Sequence, residues 1–175
     1  MGGDWALPRL GDDVRLKKSP LPTWLSAFSV LALGSGEAAP ADLLPARLPM
    51  ILLTMLAALA IGLLARTWGG REAGFLAGIV LASSWGFLNW SPQAMWDGPA
   101  FAGAVSCAWA LERVLASQSG SRLMGLFAAL TLGFSFFSKG PVGLQTVLFP
   151  FLLSAALVPE ERRRYRWRSL APVLV

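Results

Sequence analysis

The sequence contains no histidine and a single cysteine among its 175 residues. Histidine is the commonest general base and the commonest metal ligand in proteins, so its absence predicts that acid–base chemistry depends on carboxylates. Cys107 cannot form a disulfide within the chain because there is no second cysteine. Neither a metal site nor a cofactor is predicted from these residues.

Charge is also scarce. Charged residues make up 14% of the chain, whereas hydrophobic residues make up 55%, a balance that indicates a membrane protein. The net charge of +5 does not predict nucleic-acid binding, because a third of the basic residues belong to one short run, "RRRYRWR", beside an apolar segment. Basic residues in that position are typical of a topology signal that meets lipid headgroups.

Five apolar segments approach the roughly 17 to 25 residues that a membrane-spanning helix needs. They lie at about 48–67, 74–90, 99–116, 123–138 and 141–158. A shorter apolar stretch at 21–34 predicts an interfacial helix within an extracytoplasmic segment, 1–47. The predicted fold is all-α, a polytopic membrane helix bundle, followed by a basic cytoplasmic segment at 159–175 in which a further apolar run begins.

The distribution of basic residues predicts the orientation of this bundle. Nine of the fifteen lie on one side: Arg66, Arg71, Arg113, Arg122, Arg162, Arg163, Arg164, Arg166 and Arg168. The positive-inside rule makes that side cytoplasmic, so Lys139 faces outward. Because the chain starts with a polar outer segment and stops inside the apolar run "SLAPVLV", we expect an upstream membrane helix and interpret the chain as an internal piece of a larger protein.

Three outer turns share a charged residue, a small residue and a proline immediately before a helix. They are "KSP" at 18–20, "DGP" at 97–99 and "KGP" at 139–141. Proline is favoured in the first helical turn, and the N-termini of these helices point outward, where they attract anions. Lys17, Lys18 and Lys139 add positive charge, so a phosphate is a reasonable ligand. Alternatively, Asp97 only caps a helix and Lys139 only extends to water.

These motifs occur in an order that resembles a known enzyme family. "GDWALPRLGDDVRLKKSPLPTWLSAF", "ARLP", "MWDGPAF" and "FFSKGPVG" are similar to segments of the protein mannosyltransferase and aminoarabinose transferase family, which are GT-C type glycosyltransferases. The resemblance covers residues 3–158. It implies transfer of a sugar from a polyprenyl-phosphate carrier to a lipid, glycan or protein acceptor, by an integral protein of the bacterial inner membrane.

The resemblance also implies roles for individual residues. Lys18 matches the lysine near the carrier phosphate, although Lys17 stands where the family has an acidic residue. Lys139 matches the lysine of a "TKGP" type turn, and Asp97 matches an aspartate of an outer loop. The family's catalytic base belongs to an acidic motif that would lie upstream of Met1. We therefore expect the chain to retain part of the carrier site and to be inactive by itself, unless Asp97 or Asp13 substitutes for that base.

Two other functions are compatible with the residues themselves. A noncatalytic membrane subunit or assembly partner would use the same turns only as capped hairpins. A transporter would more often place ionisable residues and broken helices at the membrane midplane, and the five segments contain no ionisable residue clearly at their centres.

Overall fold

The structure is a computed structural model that describes residues 9–10, 13–14, 19–34, 43–90, 93, 97–116 and 122–159. Within these residues the helices are α1 (Leu21–Leu33), α2 (Leu43–Ser83), α3 (Trp85–Trp90), α4 (Asp97–Ala116), α5 (Arg122–Lys139) and α6 (Val142–Leu157). Two short strands, β1 (Arg9–Leu10) and β2 (Asp13–Val14), pair antiparallel before α1. Apart from this pair of two-residue strands, the elements are helices, so the predicted all-α class is confirmed.

Helix α2 is a hairpin of two limbs rather than one straight rod. Gly70 has a φ of 78° and a ψ of −168°, a backbone conformation that is open to glycine and strained for other residues. A Cβ added to Gly78 would lie 3.9 Å from the Cα of Gly62. In a straight helix these two residues would be about 24 Å apart. The chain therefore reverses at Gly70, in the gap between the predicted segments 48–67 and 74–90.

Glycines allow the two limbs of α2 to pack closely. A Cβ added to Gly74 would lie 2.6 Å from the carbonyl oxygen of Gly62 and 2.8 Å from the Cβ of Arg66. Gly74 and Gly78 are four residues apart, the spacing at which small residues let membrane helices approach one another. The hairpin therefore depends on the absence of side chains along this contact.

Helix α4 lies at the centre of the bundle. It packs against α2, α5 and α6, whereas α2 and α6 have few contacts with each other. The core cluster consists of small or medium side chains: Ala104, Cys107 and Ala110 of α4, Ala128 of α5 and Val147 of α6. Small side chains let the other helices approach α4 closely. As a result α2 and α6 flank α4 and leave a groove between them.

One described helix, α2, is long and apolar enough to cross a membrane by its length and composition. The apolar helices α1 and α6 are shorter. Helix α4 begins at Asp97, two residues before the predicted start, and Ser84 interrupts the predicted helix 74–90 so that α3 follows as a separate short helix. The number of membrane spans and the division into segments stay predictions.

Cys107 offers a reporter of unfolding because it is the sole cysteine and only 1% exposed. Its side chain belongs to the core cluster in which α4 meets α5 and α6. We expect a fluorogenic maleimide to label the native protein slowly and to label it rapidly once heat separates α4 from α5, because the reagent reaches the thiol only after opening. A thermal ramp in detergent measures this. Fast labelling below the unfolding transition would contradict the burial of Cys107.

Candidate functional site

The turn between α5 and α6 places Lys139 at the end of one helix and close to the start of the next. Gly140 has a φ of 71°, and its N–H donates to the carbonyl of Phe136 at 2.6 Å. Glycine is favoured at this position after a helix because other side chains are strained there. The carbonyl of Pro141 accepts from the N–H of Gln145 at 3.1 Å and so begins α6. The sequence "KGP" thus ends α5 and starts α6 within three residues.

Lys139 and Asp97 form an ion pair between the ends of α5 and α4. The Nζ of Lys139 donates to Oδ1 of Asp97. The lysine stands in the last turn of α5, where the helix dipole favours a cation, and the aspartate in the first turn of α4, where it favours an anion. The Lys139 side chain is 43% exposed and that of Asp97 is 63% exposed. A pair this exposed is weak and exchanges readily with other ions.

A groove with a volume of about 650 Å³ opens beside this ion pair. Both charged residues line it, and the rest of its lining is mostly apolar. Helix α4 forms the floor, α2 and α3 form one wall, and α6 forms the other. Representative lining residues are Leu64 and Trp68 of α2, Phe87 of α3, Ala108 of α4, and Val142 and Phe151 of α6.

The groove is elongated, with its charge at one end. Between Asp97 and Ala108 it follows α4 over three helical turns, which corresponds to about 16 Å. Along the opposite wall it extends from Val142 to Phe151 of α6. Clefts that are apolar with a few polar groups in fixed places typically hold small-molecule ligands. This groove suits a long apolar molecule whose polar head stays beside the ion pair.

Ser135 joins three helices one turn along α5 from the ion pair. Its hydroxyl is completely buried and donates to the carbonyl of Ala100 in α4 at 2.7 Å. A Cβ on Gly143 of α6 would lie 2.1 Å from the Ser135 Oγ. A Cβ on Gly103 of α4 would lie 2.9 Å from the backbone nitrogen of Ser135. The two glycines therefore let α4 and α6 approach Ser135 of α5 closely. This contact fixes the ends of α4 and α5 that carry the ion pair.

The structure brings two of the predicted site residues together, namely Asp97 and Lys139. Their turns meet because α4 and α5 pack side by side and run in opposite directions. Lys17 and Lys18 lie outside the described residues, so their phosphate-binding role stays a prediction. Asp13 belongs to strand β2.

The predictions from sequence do not include Glu112 or Ser135, although both are completely buried. Glu112 lies near the C-terminal end of α4, far from Asp97 at the other end. A buried acid in an apolar bundle is costly and usually has a specific purpose. The available signal was the pair Glu112 and Arg113 near the end of the otherwise apolar segment 99–116, and the same pair also fits an exposed helix end.

A comparison with known protein families identifies the class of protein to which the chain belongs. Residues 17–175 match the family described as dolichyl-phosphate-mannose-protein mannosyltransferase. The chain belongs to this family. It is therefore a membrane glycosyltransferase of the GT-C, mannosyltransferase-like type, as the motifs predicted. The matched range of this mannosyltransferase family member contains α1 to α6 and both members of the ion pair. No curated protein and no solved structure matches the chain significantly.

Proposed function

We propose that the chain forms part of an enzyme that transfers a sugar from a polyprenyl-phosphate carrier to a lipid, glycan or protein acceptor on the extracytoplasmic face of the membrane. The observation that carries this proposal is the groove, which is apolar along its length and charged at one end. A polyprenyl phosphate has the same division between a long apolar chain and an anionic head. Membership of the mannosyltransferase family supports glycosyl transfer as the reaction.

The groove would orient the carrier more than it would drive its binding. Lipid tails are as apolar as the groove lining, so a polyprenyl chain that moves from the bilayer into the groove gains little hydrophobic free energy. Specificity then depends on the head, where Lys139 can donate hydrogen bonds to phosphate oxygens. The N-terminal ends of α4 and α6 lie at the same end of the groove and favour an anion.

Accordingly, we place the carrier phosphate at Lys139 and the first isoprene units in the groove, over α4 and against α6. The family resemblance adds Lys18, with Lys17 beside it, to the proposed phosphate site. Positive charge at this position stabilises the negative charge that develops on the departing phosphate.

We assign the role of the base that activates the acceptor to a carboxylate other than Asp97. Transfer breaks the bond between the sugar C1 and a phosphate oxygen and forms a bond between C1 and the acceptor oxygen, whose proton passes to a carboxylate. In a direct displacement, the acceptor attacks on the face opposite to the departing phosphate. Asp97 is paired with Lys139, on the side proposed for the phosphate. In this position Asp97 compensates the charge of Lys139, so we propose a different carboxylate as the base.

The proposed location of the reaction is the outer face of the bacterial inner membrane. Arg113 in the last turn of α4 and Arg122 at the start of α5 lie at the opposite end of these helices from the ion pair. Arginines at membrane boundaries are enriched on the cytoplasmic side. This supports an extracytoplasmic position for Asp97 and Lys139.

Filling the groove tests the proposal. Thr146 lines the groove, and its hydroxyl donates to the carbonyls of Val142 and Gly143 in its own helix, so its replacement breaks no bond between helices. We expect Thr146→Trp to lower transfer on the order of 10- to 100-fold, because a displaced carrier no longer presents C1 to the acceptor. The measurement is transfer of labelled sugar from a panel of polyprenyl-phosphate sugars in membranes that contain the protein.

The matched control is Phe149→Trp, which places the same side chain on a 64% exposed position of α6 that does not line the groove. Transfer by this variant should equal that of the wild type. Normal transfer by Thr146→Trp would contradict the assigned groove. A folded full-length protein, as judged by slow Cys107 labelling, that transfers none of the sugars would instead favour the noncatalytic subunit.

A further inference from the structure

The mouth of the groove carries no net charge while Asp97 and Lys139 are paired. Among the described residues that line the groove, these two are the charged ones. Their charges are opposite and their side chains are in contact. A phosphate that approaches Lys139 therefore meets an ammonium group whose charge is already compensated, next to a carboxylate that repels it.

Breaking the pair requires little rearrangement. Both side chains are partly exposed, at 43% and 63%, so either one can rotate toward water. Asp97 also remains favourable without Lys139, because it stands in the first turn of α4, where the free N–H groups and the helix dipole stabilise a carboxylate. The aspartate can thus give up its partner and keep a stabilising position on its own helix.

We infer that Asp97 competes with the carrier phosphate for the ammonium group of Lys139, so that the ion pair must open before the groove is loaded. This inference rests on the proposed function of the groove. Under it, Asp97 sets how selectively the mouth accepts anions: a phosphate that binds Lys139 strongly displaces the carboxylate, whereas a weaker anion does not. Asp97 is in this respect a positioning residue that acts through Lys139.

Binding of farnesyl phosphate, a short polyprenyl monophosphate, to the purified chain in nanodiscs tests the competition. Asp97→Asn keeps the size of the side chain and removes its charge. We expect it to raise the affinity for farnesyl phosphate by about two- to fivefold, the range set by the strength of an exposed ion pair. The affinity for farnesol, which lacks the phosphate, should not change. Isothermal titration calorimetry measures both.

Two further variants separate competition at Lys139 from a general effect of charge. Glu72→Gln removes one negative charge from an exposed position of α2 that does not line the groove, and it should leave both affinities unchanged. The gain in affinity for farnesyl phosphate from Lys139→Gln to the double variant Asp97→Asn/Lys139→Gln should be smaller than the gain from the wild type to Asp97→Asn, because only direct repulsion by the carboxylate is then relieved. Slow labelling of Cys107 verifies that each variant is folded.

The possible results are distinguishable. If Lys139→Gln weakens farnesyl phosphate binding but Asp97→Asn leaves it unchanged or weakens it, the competition is refuted while the proposed function stands. An increase of the same size in the double variant also refutes it, since Lys139 is then not the shared group. If the wild type binds farnesyl phosphate no better than farnesol, both the competition and the proposed phosphate site are wrong.

Discussion

Lys139→Gln will lower transfer from a polyprenyl-phosphate sugar by about 10- to 100-fold, the effect of losing a charged hydrogen-bond donor to a phosphate. The variant keeps a polar side chain of similar length at the end of α5. It leaves Asp97 with its helix-terminal position but removes the positive charge proposed to stabilise the departing phosphate. Initial rates measured over a range of carrier concentrations would show whether the loss lies in binding, in the chemical step or in both.

Two variants control for the loss of charge at Lys139. Arg71→Gln removes a positive charge from an exposed position beside the reversal of α2, at the end of the bundle assigned to the cytoplasm, and should transfer normally. Lys139→Arg keeps the charge with a different geometry and should retain more activity than Lys139→Gln. Equal transfer by the wild type and Lys139→Gln would mean that Lys139 only extends to water at the membrane boundary.

Gly103→Ala will destabilise the bundle by about 1 to 3 kcal/mol, the usual cost of an extra methyl group in a packed contact. Its Cβ would lie 2.7 Å from the carbonyl oxygen of Thr131 and 2.9 Å from the backbone nitrogen of Ser135. Both are backbone atoms, so the clash is relieved only if α4 and α5 move apart. The expected result is a lower transition temperature in the Cys107 labelling ramp.

Gly133→Ala is the matched control, because it adds the same methyl group to α5 at a position where no atom beyond the adjacent turns of that helix lies within 4 Å of the new Cβ. Alanine has a higher helix propensity than glycine, so this variant should be as stable as the wild type or slightly more stable. If Gly103→Ala and Gly133→Ala unfolded at the same temperature, close packing at Gly103 would not contribute to stability.

Local chemistry made the helix ends near the site predictable. In "KGP", glycine supplies the left-handed conformation and proline supplies the φ that a helix start requires, so α5 ends and α6 begins where the residues indicate. The same reasoning predicts a helix start at "DGP", and α4 begins there, at Asp97. The membrane class and the all-α fold follow from the composition and the apolar segments.

The ion pair and the groove were beyond prediction because both depend on contacts between distant parts of the chain. Asp97 and Lys139 are 42 residues apart, and their contact requires α4 and α5 to pack with their ends level. The groove exists because α2 and α6 both pack on α4 and hardly touch each other. No residue pattern encodes a gap of this kind; it depends on the volumes of the side chains that meet at α4.

The junction at Ser135 makes the two walls of the groove mechanically unequal. With α6 held against α5 at Gly143, and α5 tied to α4 by the Ser135 hydroxyl, that wall and the floor form one stiff unit. The facing wall is interrupted at Ser84, between α2 and the six residues of α3. We therefore expect α3 to move when ligands of different width bind in the groove, whereas α6 stays in place.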